Sequence, residues 1–223
     1  MKKVSEPFHK HEVEEYERKR YQGLDQRIVN TREQSILKKF LEQITKKKGL
    51  ALDLPCGYGR FSKLLRGQGL RPVNCDISFH MVKRACEKSG GIGSSEIAGA
   101  VANAKQGLPF KDGVFQVVFS LRFFHHLHEK QARTFILTEF SRVSKGWVVL
   151  SFYQANPLHK IQRQLRRKVK KSSTRIKMLL AEEFAEEIAQ AGLKPVRIIP
   201  LFKGLHSQHI ALLKKKSTLQ GES

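Results

Sequence analysis

Acidic residues are scarce in this chain. Its 223 residues include 20 Asp and Glu against 42 Lys and Arg, which gives a formal net charge of +22 at pH 7. Because a strongly positive surface attracts anions, this imbalance predicts an anionic substrate or partner. The length fits one α/β domain with a sizeable core.

Cysteine is also rare, and no hydrophobic run is long. The three cysteines are Cys56, Cys75 and Cys86. Their spacing fits no metal site and excludes a disulfide-rich scaffold, so we expect reduced, partly buried thiols. The apolar runs at residues 115–121 and 146–152 are far shorter than the ~20 residues that span a bilayer. Residues 1–20 contain no apolar signal-peptide core. These absences predict a soluble, cytoplasmic protein that meets a membrane, if at all, only at its surface.

The most informative segment is residues 52–60, where an apolar run leads through Asp53 into two glycines. Gly57 and Gly59 are separated by one residue, and an amphipathic segment at 61–70 follows. This order predicts a buried parallel strand, a tight turn and the start of a helix. Glycine permits positive φ and has no Cβ, so the turn's N–H groups can approach a cofactor closely. The same glycines could instead serve only to make a sharp turn.

A second acid ends the next predicted strand. Residues 71–75 form that strand, and Asp76 follows it. A carboxylate at this position can accept hydrogen bonds from both hydroxyls of a ribose. A third strand leads to Asn103, and a fourth covers residues 114–121. Strands and helices alternate in this way through residue 151, which predicts a parallel, doubly wound sheet.

Several loose motifs occur together in a defined order. They are Leu52-Asp53-Leu54-Pro55-Cys56-Gly57-Tyr58-Gly59, Asp76-Ile77-Ser78 with Met81, Asn103 before Leu108-Pro109-Phe110, Phe115-Gln116-Val117-Val118, His126-Leu127, and Glu139 with Arg142-Val143 before Gly146. Over residues 37–214 this set resembles the class I S-adenosylmethionine (SAM) dependent methyltransferases, in their type 11 group. The resemblance implies an α/β, Rossmann-like doubly wound sheet of seven strands, mostly parallel with an antiparallel last strand. It also implies SAM as the cofactor and methyl transfer as the activity.

The resemblance assigns cofactor contacts to eight positions. They are Asp53, Gly57, Gly59, Asp76, Ile77, Asn103, Ala104 and Leu121. The glycine turn would hold the methionine end of SAM, Asp76 the ribose and Asn103 the adenine. Asp53 would either contact SAM or orient the loop. Arg60 is a candidate partner of the cofactor carboxylate, or alternatively a water-facing residue at the helix start.

Three positions depart from the family pattern. Pro55 replaces a glycine, which removes one backbone donor, and Asn103 and Gln116 replace acids. An amide at position 103 can still accept from the adenine amine and donate to a ring nitrogen. The departures therefore fit a working cofactor site, although they leave open a site that has lost its activity.

A nicotinamide dinucleotide is the rival cofactor. Gly57, Gly59 and Ser62 approximate the GxGxxG/A pattern of dinucleotide-binding turns. No hydride-transfer site is evident, however, and no substrate domain follows the second strand. The later motifs also fit the methyltransferase pattern better, so SAM is the cofactor we predict.

Candidate catalytic residues follow the fourth and fifth strands, because ligands gather at strand carboxyl ends. His126 could remove a proton from the acceptor, with His125 as an alternative, and Tyr153 or Tyr21 could position the acceptor. His126 could equally be structural, and Tyr153 could be a rim aromatic in water. His125, His126 and His128 are clustered without a cysteine or carboxylate pair at ligand spacing, so no metal site is expected.

A basic segment covers residues 155–177 and contains no acid. Its nine basic residues are Lys160, Arg163, Arg166, Arg167, Lys168, Lys170, Lys171, Arg175 and Lys177. Apolar residues recur there at intervals of three and four, which predicts an amphipathic helix. Three interpretations stay open: a solvated helix packed on the core, a surface that meets an anionic membrane or amphiphile, and an RNA contact. The absence of aromatic residues in the segment argues against stacking on RNA bases.

The predicted organisation has three parts. Residues 1–45 form an N-terminal helical extension or lid, with a helix at 21–44 whose inner face includes Ile28. Residues 46–214 form the SAM-binding domain with the basic insert, and residues 215–223 form a disordered tail. The predicted function is methyl transfer to an anionic small-molecule or amphiphilic acceptor, such as a lipid, quinone-like molecule or glycan. The alternatives are an RNA methyltransferase and a non-catalytic SAM-fold protein that binds nucleic acid through its basic surface.

Overall fold

The computed structural model describes residues 9–19, 23–45, 47–89, 98–155, 176–204 and 206–216. The strands are β1 Gly49–Asp53, β2 Leu70–Asp76, β3 Ala98–Val101, β4 Phe115–Ser120, β5 Ser144–Tyr153, β6 Leu193–Pro200 and β7 Gln208–Lys215. The α-helices are α1 Lys10–Lys19, α2 Leu24–Ile44, α3 Ser62–Gly67, α4 Phe79–Lys88, α5 Lys130–Val143 and α6 Ala181–Gln190. Two short 3₁₀ turns cover Ala104–Gln106 and Phe124–His126.

The seven strands form one sheet in the order β3-β2-β1-β4-β5-β7-β6. All neighbours are parallel except β7, which runs antiparallel to both β5 and β6. This arrangement confirms the predicted α/β architecture. The strand order reverses between β1 and β4, so a crevice opens at their carboxyl ends, where ligands bind in doubly wound sheets.

The sheet is covered on both faces because its central strands are apolar on both sides. Along β5, Val148, Leu150 and Phe152 lie in the core cluster that includes residues of α5 and α6. Val149 lies in the opposite cluster, which includes the inner face of α2. The alternation of β5 therefore identifies which side of the sheet each of its side chains faces.

Helix α2 contacts the core over only part of its length. Its buried residues begin at Glu33 and continue to Ile44. The prediction that Ile28 faces inward is wrong, because Ile28 is 60% exposed. It lies on the same stripe as Ile36 but two turns earlier, where the 21-residue helix extends beyond the packed core.

Helix α1 packs against α4 and the glycine turn. Val13 lies in one apolar cluster with Tyr58 and Met81. Glu17 pairs with Arg84 at 2.8 Å and with Lys88 at 2.5 Å. Helix α1 is therefore attached beside the glycine turn, and the role of residues 1–45 as a lid stays a prediction.

The chain returns to the end of β5 after the basic segment. Most of that segment, residues 156–175, lies outside the described residues, so its helical structure stays a prediction. On its far side, Leu179 donates to the Tyr153 carbonyl and accepts from the Ala155 amide, both at 2.8 Å. Residues 217–223 of the predicted tail also lie outside the described ranges. Within those ranges, no helix is both long enough and apolar enough to cross a membrane.

Candidate functional site

The turn after β1 is built from two glycines with different tasks. Gly57 has φ +51°, and a Cβ added there would meet nothing within 4 Å. Gly59 has φ +77°, and a Cβ there would lie 2.8 Å from the Cα of Ala85 on α4. Gly59 therefore allows α4 to pack closely against the turn, whereas Gly57 leaves open space beside its backbone. The helix predicted to start after the turn covers Ser62–Gly67, which is part of the amphipathic segment 61–70, and β2 begins at Leu70.

Asp76 fixes this turn to the end of β2. Its Oδ2 accepts from the Gly57 amide at 3.1 Å, and its Oδ1 accepts from the Ser78 amide at 3.0 Å. Burial raises the pKa of Asp76, although the backbone hydrogen bonds act in the opposite direction. The amides of Gly57, Ile77 and Ser78 all hydrogen-bond this carboxylate, which leaves about one of its four lone pairs to accept from a ribose hydroxyl.

Asp53 is the most unusual side chain of the site. It is 1% exposed, and no donor among the described residues bonds to its Oδ2. Burial, and to a lesser extent the nearby Asp76 carboxylate, raises the pKa of Asp53 to about 8. Such a buried acceptor is costly unless it has a partner. A cationic or N–H group of a bound molecule would supply that partner.

The predicted adenine side begins after β3. The Asn103 Oδ1 accepts from the Lys105 amide at 3.1 Å and caps the short turn that contains buried Ala104. Its second lone pair remains compatible with the predicted contact to adenine. Ile77 is half-buried after β2, and Leu121 is 5% exposed after β4. These residues flank the crevice, and their cofactor contacts stay predictions.

The Leu108–Phe110 loop is held by two charged residues of α5. The Glu139 carboxylate accepts from the Leu108 amide at 2.7 Å. Arg142 donates to the carbonyls of Leu108 at 2.9 Å and Phe110 at 2.8 Å. The hydrogen bond from Arg142 lowers the pKa of Glu139 despite partial burial. Two residues of the family motif therefore shape the loop beside the predicted adenine site.

A buried polar cluster, which the sequence did not reveal, lies where α2 covers the carboxyl ends of the strands. Glu33 is fully buried and accepts from Arg60 at 2.5 Å, from Arg122 at 3.1 Å and from the Gln208 side-chain Nε2 at 2.8 Å. Burial alone would raise the pKa of Glu33, but Arg122 and Arg60 hold it below its usual value. An acid on the apolar stripe of α2, three residues before Ile36, was the available signal.

One of the two sequence interpretations predicted that Arg60 faces water, but the structure turns its side chain inward. Its side chain is 12% exposed and also donates to Asn30. The prediction of a water-facing helix start is therefore wrong, because the buried carboxylate of Glu33 draws the guanidinium inward. A role of Arg60 beside the cofactor carboxylate stays a prediction.

The candidate catalytic residues belong to one ring cluster, formed by His125, His126, Tyr153 and His206. Ring centroids are 3.9 Å apart for His125–His126, 4.9 Å for His125–Tyr153 and 6.0 Å for Tyr153–His206. All four side chains are half-buried. His126 and Tyr153 are thus brought together through His125, and their catalytic roles stay predictions. Tyr21 lies outside the described residues.

A buried ion pair supports the loop that holds these histidines. Arg133 donates to the carbonyls of Leu127 at 3.0 Å and His128 at 2.9 Å. The same guanidinium pairs with Glu187 of α6 at 2.5 Å, and both residues are almost fully buried. Over the described ranges, no three His, Cys, Asp or Glu side chains are arranged to hold a metal ion.

Comparisons with known proteins agree with this geometry. Residues 52–150, from β1 to β5, match the sequence model of the methyltransferase domain family. A demethylmenaquinone methyltransferase of Thermobifida fusca is 32% identical over 121 residues, which cover 52% of this chain and 48% of that protein. A Dictyostelium discoideum protein named probable 18S rRNA (guanine-N(7))-methyltransferase is 29% identical over 119 residues, covering 48% and 39%. The chain thus spans half or less of the length of these two relatives.

A solved structure extends the agreement to the whole fold. Magnesium protoporphyrin IX methyltransferase from Synechocystis, with bound S-adenosylhomocysteine (SAH), superimposes with a TM-score of 0.69 at 15% identity, covering 87% of this chain and 88% of that one. At this identity the superposition shows that the two proteins share a fold. Residues 52–150 thus match the methyltransferase domain family, and the chain shares its fold with that solved methyltransferase.

Proposed function

We propose that this protein transfers a methyl group from SAM to an anionic small-molecule or amphiphilic acceptor. One observation carries the proposal: Asp53 is buried at the end of β1, directly before the glycine turn and at the switch point of the sheet, and no donor among the described residues bonds to its Oδ2. An ammonium group of the cofactor's methionine end would satisfy that oxygen. The Asp76 carboxylate would accept from a ribose hydroxyl, and the space beside Gly57 would admit the cofactor.

The chemical contribution of the protein is alignment. SAM supplies a methyl group on a sulfonium, which an acceptor nucleophile takes by in-line displacement while SAH leaves. The acceptor must therefore be held at the carboxyl ends of β4 and β5, and an O–H or N–H acceptor must lose its proton. His126 and Tyr153 lie on that side of the sheet, within the ring cluster, and a histidine titrates in the range that such a proton transfer needs.

The net charge of +22 supports an anionic acceptor. RNA is the second candidate, because a matching relative is named for rRNA and a basic protein readily contacts phosphates. A non-catalytic SAM-fold protein is the third, since Pro55, Asn103 and Gln116 depart from the family pattern. We propose the cytoplasm as the compartment of this protein, because its three cysteines are free thiols and thiols stay reduced there.

Calorimetric titration with SAM, SAH and NAD⁺ tests the cofactor assignment. We expect micromolar binding of SAM and SAH and no binding of NAD⁺. Asp76→Ala should weaken SAM binding at least ~30-fold, since hydrogen bonds to a charged group are worth about 1.5–3 kcal/mol each. The control is Glu42→Ala, which removes a carboxylate with a side chain 52% exposed and a weak surface pair. Equal affinities in both variants would contradict the assignment of Asp76.

The acceptor class is tested by salt dependence and by vesicle sedimentation. An RNA acceptor would give binding that falls steeply with salt and depends on Lys168, Lys170 and Lys171. An anionic amphiphile would instead give sedimentation with anionic but not neutral vesicles. A protein that binds SAM but methylates none of these acceptor classes would favour the non-catalytic alternative.

A further inference from the structure

We propose that the acceptor is a flat aromatic anion, bound by the Arg122 guanidinium and the ring cluster on the α2 side of the sheet. This inference rests on the proposed function and specifies its substrate class. It combines three features that occur within one short stretch of the crevice: a strained arginine, a buried carboxylate that orients it, and four half-buried rings.

The register of β5 places the two groups on the same face. Ser151 and Tyr153 are two residues apart, so their side chains leave the strand on one side, which is also the side of Val149 and the α2 core. Tyr153 lies opposite Gln208 of β7 in the antiparallel register of the sheet. The side-chain Nε2 of Gln208 donates to Glu33 at 2.8 Å. Tyr153 is therefore directly opposite a residue of the buried polar cluster in the sheet.

Arg122 is held in a fixed position at the end of β4. Its φ is +59°, a conformation that a residue other than glycine adopts only when its surroundings enforce it. The Arg122 amide donates to the Ser151 hydroxyl at 2.7 Å. Its guanidinium donates to both oxygens of Glu33, at 3.3 and 3.1 Å, while the side chain stays 20% exposed. The cluster thus orients an arginine whose charge reaches the surface of the crevice.

The ring cluster begins three residues later in the same loop. The contacts from His125 to Tyr153 and from Tyr153 to His206 join the ends of β4, β5 and the hairpin before β7. The backbone carbonyl of His125 also accepts from the Lys177 amide at 2.9 Å, which fixes the loop from its other side. Half-buried rings of this kind present apolar faces and edges on which another aromatic ring can pack.

Together these features select the chemistry of the ligand. The fork formed by Nε and Nη2 of Arg122 binds Glu33, whereas the end of a guanidinium, formed by Nη1 and Nη2, can also hold a carboxylate through two parallel hydrogen bonds. Rings packed beside it favour a ligand whose carboxylate is attached to an aromatic system. A hydroxyl on that ring would place a methyl-accepting oxygen at the carboxyl ends of the strands, near the proposed cofactor position.

The test uses 1-hydroxy-2-naphthoate, a fluorescent probe of this class, titrated into the full chain saturated with SAH. Two comparison ligands divide its features: 1-naphthol keeps the rings and hydroxyl without the carboxylate, and cyclohexanecarboxylate keeps the carboxylate without the aromatic rings or the hydroxyl. We expect the naphthoate to bind at least ~10-fold more tightly than either ligand, since both parts contribute. Equal affinities for the naphthoate and 1-naphthol would overturn the proposal.

Matched variants separate this site from general charge. Arg122→Asn keeps a side chain that tolerates positive φ, and it should lower naphthoate affinity at least ~10-fold without changing that of 1-naphthol. Arg71→Asn removes one charge from an exposed position on β2 and should change neither affinity. Tyr153→Ala should weaken both aromatic ligands, whereas Tyr153→Phe, which keeps the ring, should not. Identical behaviour of the Arg122 and Arg71 variants would refute the assignment.

The failure of this inference differs from failure of the proposed function. Wild-type protein that does not bind SAH contradicts the proposed function, whatever the probe does. Protein that binds SAH but shows no preference for the naphthoate contradicts only the aromatic anion. An RNA oligonucleotide that displaces the probe and also depends on Arg122 would assign this face to RNA instead, and so would overturn the proposal.

Discussion

Replacing Asp53 by Asn should stabilise the protein by an amount that grows with pH. The pKa of Asp53 is raised from 3.8 to about 8 in the folded state. Between these values the folded protein keeps a proton that the unfolded chain releases, so wild-type stability falls as pH rises. The slope for one such group is about 1.4 kcal/mol per pH unit. The loss ends near pH 8, where the folded state releases the proton as well.

An asparagine at this position is nearly isosteric and does not titrate. The stability advantage of Asp53→Asn over wild type should therefore increase by about 1.4 kcal/mol per unit between pH 5 and pH 7, then level off above pH 8. Urea denaturation at pH 5, 6, 7 and 8, without cofactor, measures this difference. Asp25→Asn, which changes an exposed carboxylate in α2, should give a flat profile. A flat profile for Asp53→Asn as well would refute the argument from buried Asp53.

The same substitution should impair the cofactor site. At pH 7 a group with a pKa near 8 is about nine-tenths protonated, so pairing with a cofactor ammonium must release that proton. SAM titrations in buffers of different ionisation enthalpy should show release of close to one proton for wild type and none for Asp53→Asn. The variant should also bind SAM more weakly, because the amide cannot supply the negative charge. Equal proton release by the wild type and Asp53→Asn would show that Asp53 does not pair with the cofactor.

Two further predictions concern packing around the site. Gly59→Ala should destabilise the fold by about 2–4 kcal/mol in urea denaturation, because its Cβ would lie 2.8 Å from Ala85 and its φ is +77°. Gly57→Ala, with open space at its Cβ, should lower the free energy of unfolding clearly less. Equal losses in the two variants would contradict the distinction between the glycines. Arg133→Met should lower the free energy of unfolding by about 3–5 kcal/mol, because Glu187 would keep a buried charge without its partner. The double variant Arg133→Met with Glu187→Leu should recover much of that loss. Thermal unfolding that shows no such recovery would contradict the ion-pair explanation.

The fold and the cofactor turn could be predicted from the sequence because their signals are local. Asp53, Gly57 and Gly59 occur within one strand-turn-helix segment, and Asp76 ends the next strand. Their spacing alone therefore places them at one edge of a parallel sheet. The sequence also predicted that His126 and Tyr153 lie at the carboxyl ends of strands, although Tyr153 is the last residue of β5 and not the residue after it.

The Glu33 cluster could not be predicted in the same way. Its partners come from the glycine turn, the end of β4 and the start of β7, and Gln208 is 175 residues away from Glu33 along the chain. No local pattern joins them; only the strand order β1-β4-β5-β7 brings them under α2. The prediction that Ile28 faces inward was wrong for a related reason. The amphipathic stripe of a helix does not show where the core below the helix ends.

The unequal tasks of the two glycines have a consequence for recognising descendants of this protein that have lost catalysis. Gly59 is required by the close approach of α4, so selection for a stable fold alone would retain it after the cofactor is lost. Gly57, with open space beside it, and Asp53, whose burial destabilises the folded protein, have no such protection. A homologue that keeps the glycine at position 59 but has other residues at positions 53 and 57 would therefore be one that has lost the cofactor. A score for the motif as a whole would not distinguish such a homologue from an enzyme with one ordinary substitution.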